Sequence, residues 1–210
     1  MNKEIPILFS TMMVQALLAG RKTQTRRGNG LKKVNENPDQ VRYLRMQEFP
    51  DGTWRAVFQH ENEDEPGSVK SPYGKPGDIL WVREGFQHNN KGGFIYKSDV
   101  TTPVTWKPSI HMPKEAARIW LQVESITVER LQDISDEDAI AEGIEIIANA
   151  PFVHRFKAYD LEGSTPFHQA KESFQSLWMK INGKESWLTN PWVWIVTFKM
   201  LSTTGKPKNI

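Results

Sequence analysis

Residues 192–201, WVWIVTFKML, constrain the fold more than any other stretch. The run is rich in β-branched and aromatic side chains and apolar enough to predict a central strand. A second long strand is predicted in ARIWLQVESITVERL, where Ile119, Leu121 and Val123 alternate and the pattern resumes at Ile126 and Val128. In GKPGDILWVREGF a Pro-Gly turn precedes a strand, with Ile79, Trp81 and Arg83 alternating against Leu80, Val82 and Glu84; GGFIYKS predicts a further short one. VRYLRM and TWRAVFQH flank the turn signal FPDG, which predicts a β-hairpin inside an insertion at about 34–75, followed by a solvated acidic loop, ENEDEPGS.

The helix signals are few. STMMVQALLAG predicts a helix capped by Ser10 or Thr11, with a stripe of Met13, Val14, Leu17 and Leu18 and a stop at Gly20. SDEDAIAEGI has Ser135 three residues before Asp138, a capping-box spacing, and ends at Gly143. In STPFHQAKESFQSLWMKING, Thr165 and Pro166 predict the start and Gly183 the end. The positions Phe167, Ala170, Phe174, Leu177, Trp178 and Ile181 keep helical spacing. Strands without regular strand–helix alternation predict an α+β or small-barrel architecture. STTGKPKNI, at 202–210, reads as a flexible tail.

With no cysteine, disulfide frameworks, thiolate metal sites and cysteine nucleophiles are excluded. Net charge is +2, so attraction to a polyanion must come from local clusters. The Ile5–Phe9 run is too short for a secretory signal, and no run suits a membrane span, so a cytoplasmic location is expected. Most of the eight tryptophans are expected in the core.

The densest basic cluster is LLAGRKTQTRRGNGLKK, residues 17–33. Arg21, Arg26 and Arg27 keep the local potential positive, which would help Lys22 lose its proton. A neutral lysine is a competent base for a hydroxyl nucleophile such as Thr25. In a straight extended segment, however, Lys22 and Thr25 fall on opposite faces unless a bulge intervenes. A basic surface or phosphate-contact loop therefore stays open as the alternative. Glu142 lies in the last turn of its helix, where the macrodipole disfavours an anion. It reads as an exposed glutamate or as a carboxylate serving a cationic pocket, either pairing a lysine or acting as general acid/base.

GRKTQTRR after a short helix, KPGDILWVRE before the middle strand, and ISDEDAIAEGI together resemble the ASCH family of the PUA-like superfamily. That resemblance implies a small, mostly antiparallel β-barrel with flanking helices and a charged cleft. It also implies a single domain over 1–201, with the insertion at 34–75 and an added helical segment at about 146–190. Of the family signature G-x-K-x-x-E-x-R, Gly20, Lys22 and Arg27 match, whereas Thr25 replaces the glutamate. Threonine there resembles the small bacterial ASCH enzymes that hydrolyse N4-acetylcytidine. Carried over, the resemblance implies Thr25 as nucleophile, Lys22 as its activator and Glu142 as the third catalytic residue. Arg21, Arg26 and Arg27 are expected beside them as substrate contacts that attract ribose or phosphate oxygens, and such a reaction needs no cofactor. The longer layout is similar to ASCH proteins carried by phages and prophages. The implied partner is a nucleoside or RNA, with DNA left open.

Glu84 reads as a strand-end ion pair or as a reader of an exocyclic amine at the cleft mouth, and His111 as a structural or substrate-edge residue. Tyr43, Trp54 and Phe58, with Arg42, Arg45 and Arg55, would form an aromatic–basic surface for single-stranded nucleic acid if their hairpin did not pack on the barrel. Together with Lys32 and Lys33 they define the rival reading, a non-catalytic RNA- or DNA-binding module. A phage-encoded ribonuclease is a third reading. His168 and Glu172, spaced i, i+4, lack a third ligand, so no metal is expected.

Overall fold

The computed structural model describes residues 2–89, 92–100, 104–150, 153–159 and 165–208, with only the backbone of 148–150, 153 and 154. In chain order the elements are β1 (Glu4–Leu8), α1 (Thr11–Leu18), β2 (Gln24–Arg27), β3 (Val41–Glu48), β4 (Trp54–His60), β5 (Gly67–Lys70), β6 (Ile79–Arg83), β7 (Phe86–His88) and β8 (Phe94–Tyr96). There follow β9 (Trp120–Arg130), α2 (Asp136–Ala141), β10 (Ile146–Ala150), β11 (Val153–Phe156), α3 (Ala170–Asn182), α4 (Glu185–Leu188) and β12 (Trp192–Ser202). The class is α+β. Among the described residues no helix is long and apolar enough to cross a membrane.

The main sheet runs β1-β6-β9-β12-β2, with β1 and β2 as open edges, so it does not close into a barrel. Only the β1–β6 pair is parallel. β12 lies between β9 and β2, as its apolar run predicts, and Val193, Trp194, Ile195 and Val196 are all buried. The break in the β9 pattern has a physical cause. Ser125 faces Thr197 while Val123 faces Phe198, leaving Glu124 as an extra residue. One added residue reverses the face of every later side chain, so the buried set passes from Leu121 and Val123 to Ile126 and Val128.

Local chemistry sets the helix ends. The Ser10 hydroxyl accepts from the Met13 amide, and Gly20 takes φ +70° just beyond α1. Ser135 Oγ accepts from the Asp138 amide at 3.1 Å, and the acids Asp136, Glu137 and Asp138 suit the positive end of α2. The predicted start of α3 is displaced. Phe167 instead exchanges two 2.9 Å backbone hydrogen bonds with Phe156, so Thr165 and Pro166 precede an extended segment. The helix begins at Ala170 behind a Gln169–Glu172 capping box. Long-range pairing satisfied the backbone groups that a helical first turn would have left free.

The predicted hairpin is β3–β4, extended by an unforeseen third strand, β5. Its aromatic face turns inward. Phe58 is buried, Tyr43 meets it edge-on at 5.9 Å and approaches Trp192 at 6.4 Å, and Trp54 Nε1 donates to the Ile126 carbonyl. The aromatic–basic surface conceived for this hairpin therefore does not form, because burying those rings against β9 and β12 is worth more than exposing them. None of the eight tryptophans is exposed. The tail departs from its predicted freedom as well: β12 runs to Ser202, Gly205 N donates to the Arg118 carbonyl at 2.9 Å, and Lys206 Nζ reaches Glu4 at 2.8 Å. Residues 209–210 lie outside the described residues.

Candidate active site

The approach to β2 is irregular, and that irregularity builds the site. After Gly20 the amides of Arg21 and Lys22 both donate to the Ala16 carbonyl, at 2.9 and 3.2 Å, which turns the chain sharply. Lys22 bridges Glu142, the Thr23 amide donates to the Ala141 carbonyl, and the Phe198 amide donates to the Thr23 carbonyl. Regular pairing with β12 starts only at Gln24. Because the segment is not one straight strand, Lys22 and Thr25 line the same cavity, despite a spacing that would separate them across a sheet.

Lys22 Nζ donates to Glu142 Oε2 and to the Glu142 carbonyl, both at 2.7 Å. The two side chains are only 1% and 5% exposed. Burial holds the Lys22 ammonium below its ordinary proton affinity, Glu142 opposes that, and Arg27 and Arg26 add to it. The expected contribution of the arginines is real but secondary to desolvation. Glu142 is not a solvated helix-end glutamate: it is the lysine's partner.

Arg26 has a different place from the substrate contact anticipated for it. Its side chain is fully buried, and its Nε and Nη2 donate to Glu129, Nη2 to Asp138 at 2.8 Å and Nη1 to Glu142 at 3.4 Å. It borders the cavity, but its charge is already answered by three carboxylates, so it positions Glu142. Burial raises the Glu129 pKa although Arg26 works against it. Glu129 and Asp138 escaped the sequence reading because Arg26 is more than 100 residues away from either. Arg21 binds the Gly143 and Ile144 carbonyls, at 2.6 and 3.2 Å, and tethers the end of α2. Arg27 borders the cavity beside the Phe9 ring. Its Nη2 donates to the Leu8 carbonyl at 2.8 Å, and among the described residues its buried Nε has no hydrogen-bond partner and no carboxylate pairs with it.

The cavity measures about 160 Å³. Lys22, Thr25, Arg26, Arg27 and Glu142 give it a polar lining; Phe174, Leu177, Trp178 and Ile181 of α3 give it an apolar one. The Thr25 hydroxyl makes no hydrogen bond to another described residue. The amphipathic spacing of α3 predicted its helix but carried no hint that its outer end would border the basic segment.

Gly143 makes the Lys22–Glu142 approach possible. It sits at φ +90°, and a Cβ there would come 2.8 Å from Lys22 Cβ and 2.9 Å from Ala16 Cβ. Gly143→Ala is expected to destabilise the fold by about 2–4 kcal/mol, combining left-handed strain with overpacking, as measured by urea unfolding. A loss below about 0.5 kcal/mol would contradict this packing.

The remaining candidates lie elsewhere. Glu84 is buried in a separate ion cluster, accepting from Arg118 Nε at 2.9 Å and Ser98 Oγ at 2.6 Å, and it does not line the cavity. His111 is exposed at the end of a short 3-10 turn, Ser109–His111. Lys32, Lys33, Arg42 and Arg45 are exposed and apart from the cavity lining, while Arg55 pairs with Asp51 at 2.6 Å. His168 precedes α3 and contacts Arg155, so it shares no helical face with Glu172. Among the described residues no group of His, Asp and Glu side chains is arranged to hold a metal ion. Compared with protein-family models, curated proteins and solved structures, the chain gives no match.

Proposed function

We propose that the chain is a single ASCH-type domain of PUA-like ancestry whose cavity takes a modified nucleobase and hydrolyses an amide on it, N4-acetylcytidine being the reference substrate. One observation carries this reading. Lys22, Thr25 and Glu142 meet at one cavity, with the lysine buried and its proton loosened by desolvation. The three sequence motifs and the α+β class are consistent with it.

In the proposed reaction neutral Lys22 takes the Thr25 hydroxyl proton as Oγ attacks the acyl carbon. The tetrahedral intermediate collapses, the C–N bond breaks, and the lysine ammonium returns the proton to the departing amine. That leaves a threonyl ester. A water molecule, deprotonated by Lys22, then attacks the ester, releasing the carboxylic acid and restoring the hydroxyl. Glu142, steadied by Arg26, holds Lys22 Nζ in place. Arg27, which has no carboxylate partner among the described residues, is available to the developing oxyanion or to the acid product.

The test is release of cytidine and acetate from N4-acetylcytidine, followed by chromatography. Equal release by wild type and Lys22→Ala at high enzyme concentration would end the catalytic reading. The pH profile gives a second test. The neutral lysine is the working form and its proton affinity is lowered, so kcat/KM rises with pH through a midpoint below the ordinary lysine value of 10.5. A midpoint at or above that value would exclude Lys22 as the base.

A further inference from the structure

A cavity of about 160 Å³ is small beside sites that enclose drug-sized ligands, so it accommodates only the reacting part of a nucleoside. The polar lining accounts for the acyl end of such a substrate. The apolar lining faces whatever carries the amide nitrogen, and it comes from α3, in the segment that falls outside the three sequence motifs. Its two aromatic residues differ. Phe174 is buried and lies 5.9 Å beneath the Arg26 guanidinium, so its ring is committed to the interior. Trp178 is half-buried and borders the cavity.

The Trp178 indole is held before any ligand arrives. Its Nε1 donates to Ser186 Oγ at 2.9 Å, and that hydroxyl donates in turn to the Gly183 carbonyl at 2.6 Å. Phe174 backs it at a centroid distance of 6.1 Å. Beyond it Ile181 stands 55% exposed at the rim, an apolar side chain with little packing of its own. An aromatic ring held in place, with an exposed aliphatic side chain beside it and polar side chains lining the same cavity, suits a flat ring better than a flexible aliphatic chain. Stacking on it requires little ordering of the protein.

We infer that Trp178 is the specificity-determining residue of this cavity, stacking a flat heteroaromatic ring so that an amide on that ring meets Thr25, and thereby excluding amides of aliphatic amines. The inference rests on the nucleobase reading above and adds the residue and the class of amine that it selects.

Cytidine, the amine product, serves as the probe, with binding measured by calorimetry on wild type, Trp178→Leu and Trp178→Phe. Base stacking on an aromatic side chain predicts a loss of at least about fivefold in Trp178→Leu and a much smaller loss in Trp178→Phe. Since Trp178 also packs against the core, a second arm uses wild type alone. Saturation-transfer NMR should label the base protons of cytidine more strongly than the ribose protons. Unchanged affinity in Trp178→Leu, stronger labelling of the ribose, or no cytidine binding at millimolar concentration would each overturn the inference. The two readings fail separately. Trp178-dependent cytidine binding without hydrolysis removes the catalytic reading and leaves the stacking wall; Lys22-dependent hydrolysis with wild-type cytidine affinity in Trp178→Leu does the reverse.

Discussion

Thr25→Ala is expected to lower hydrolysis of N4-acetylcytidine by a factor of about 10³ or more while leaving the fold intact. A lost nucleophile removes the covalent route entirely, so only positional and electrostatic effects remain. Stability should fall by only about 1 kcal/mol, the cost of a buried methyl in a strand, because the Thr25 hydroxyl has no hydrogen-bond partner among the described residues whose loss would add to it. Thr25→Ser keeps the nucleophile and should retain measurable turnover. A chain that merely bound nucleic acid through its basic residues would behave otherwise: affinity would survive Thr25→Ala and fall steeply with salt. Equal turnover in wild type and Thr25→Ala would transfer the argument to that reading.

The largest expected effect on stability comes from Glu142→Leu. It strips the counter-ion from Lys22, whose side chain is 1% exposed, and removes one of the carboxylates around Arg26. Breaking one partner of a buried pair costs about 3–5 kcal/mol, because the other is left charged in the interior or must give up its proton. The pH dependence has a definite sign. Lys22 is held below its ordinary 10.5 by burial, so over the interval beneath that value the unfolded chain binds more protons than the folded one. The stability of Glu142→Leu therefore rises with pH toward 10.5 and its deficit against wild type narrows. Adding Lys22→Met should restore most of the loss, since no lone charge is then buried. Urea unfolding of wild type and the two variants checks this, and a loss under about 1 kcal/mol in Glu142→Leu alone would mean that the pair is solvated after all.

Much of the architecture was legible because its signals are local. Ser10 and Ser135 cap their helices, Gly20 and Gly143 follow the ends, and β12 is as central as its run of apolar side chains demands. Even the irregularity in β9 is written in the change from odd to even apolar positions around Glu124. Lys22, Thr25 and Glu142 were legible as a group only through the family resemblance; no spacing relates positions 120 residues apart. Elsewhere local signals lost. Thr165 and Pro166 have the chemistry of a helix start, yet Phe167 pairs with Phe156 and α3 begins later. β1 pairs in parallel with β6, a contact that nothing within five residues of sequence can announce.

The cluster of arginines shows most clearly how the two kinds of information divide. Adjacent in the chain, Arg26 and Arg27 look interchangeable, and both were candidates for the substrate. Both border the cavity, yet strand geometry gives their side chains different surroundings: Arg26 meets the carboxylates of Glu129, Asp138 and Glu142, whereas Arg27 meets none among the described residues. Residue type and short-range spacing decide whether a segment is strand, helix or turn, since those choices depend on neighbours a few positions away. Which charges are neutralised, which hydroxyl stays free and which helix closes the cavity depend on chain segments that only folding brings together.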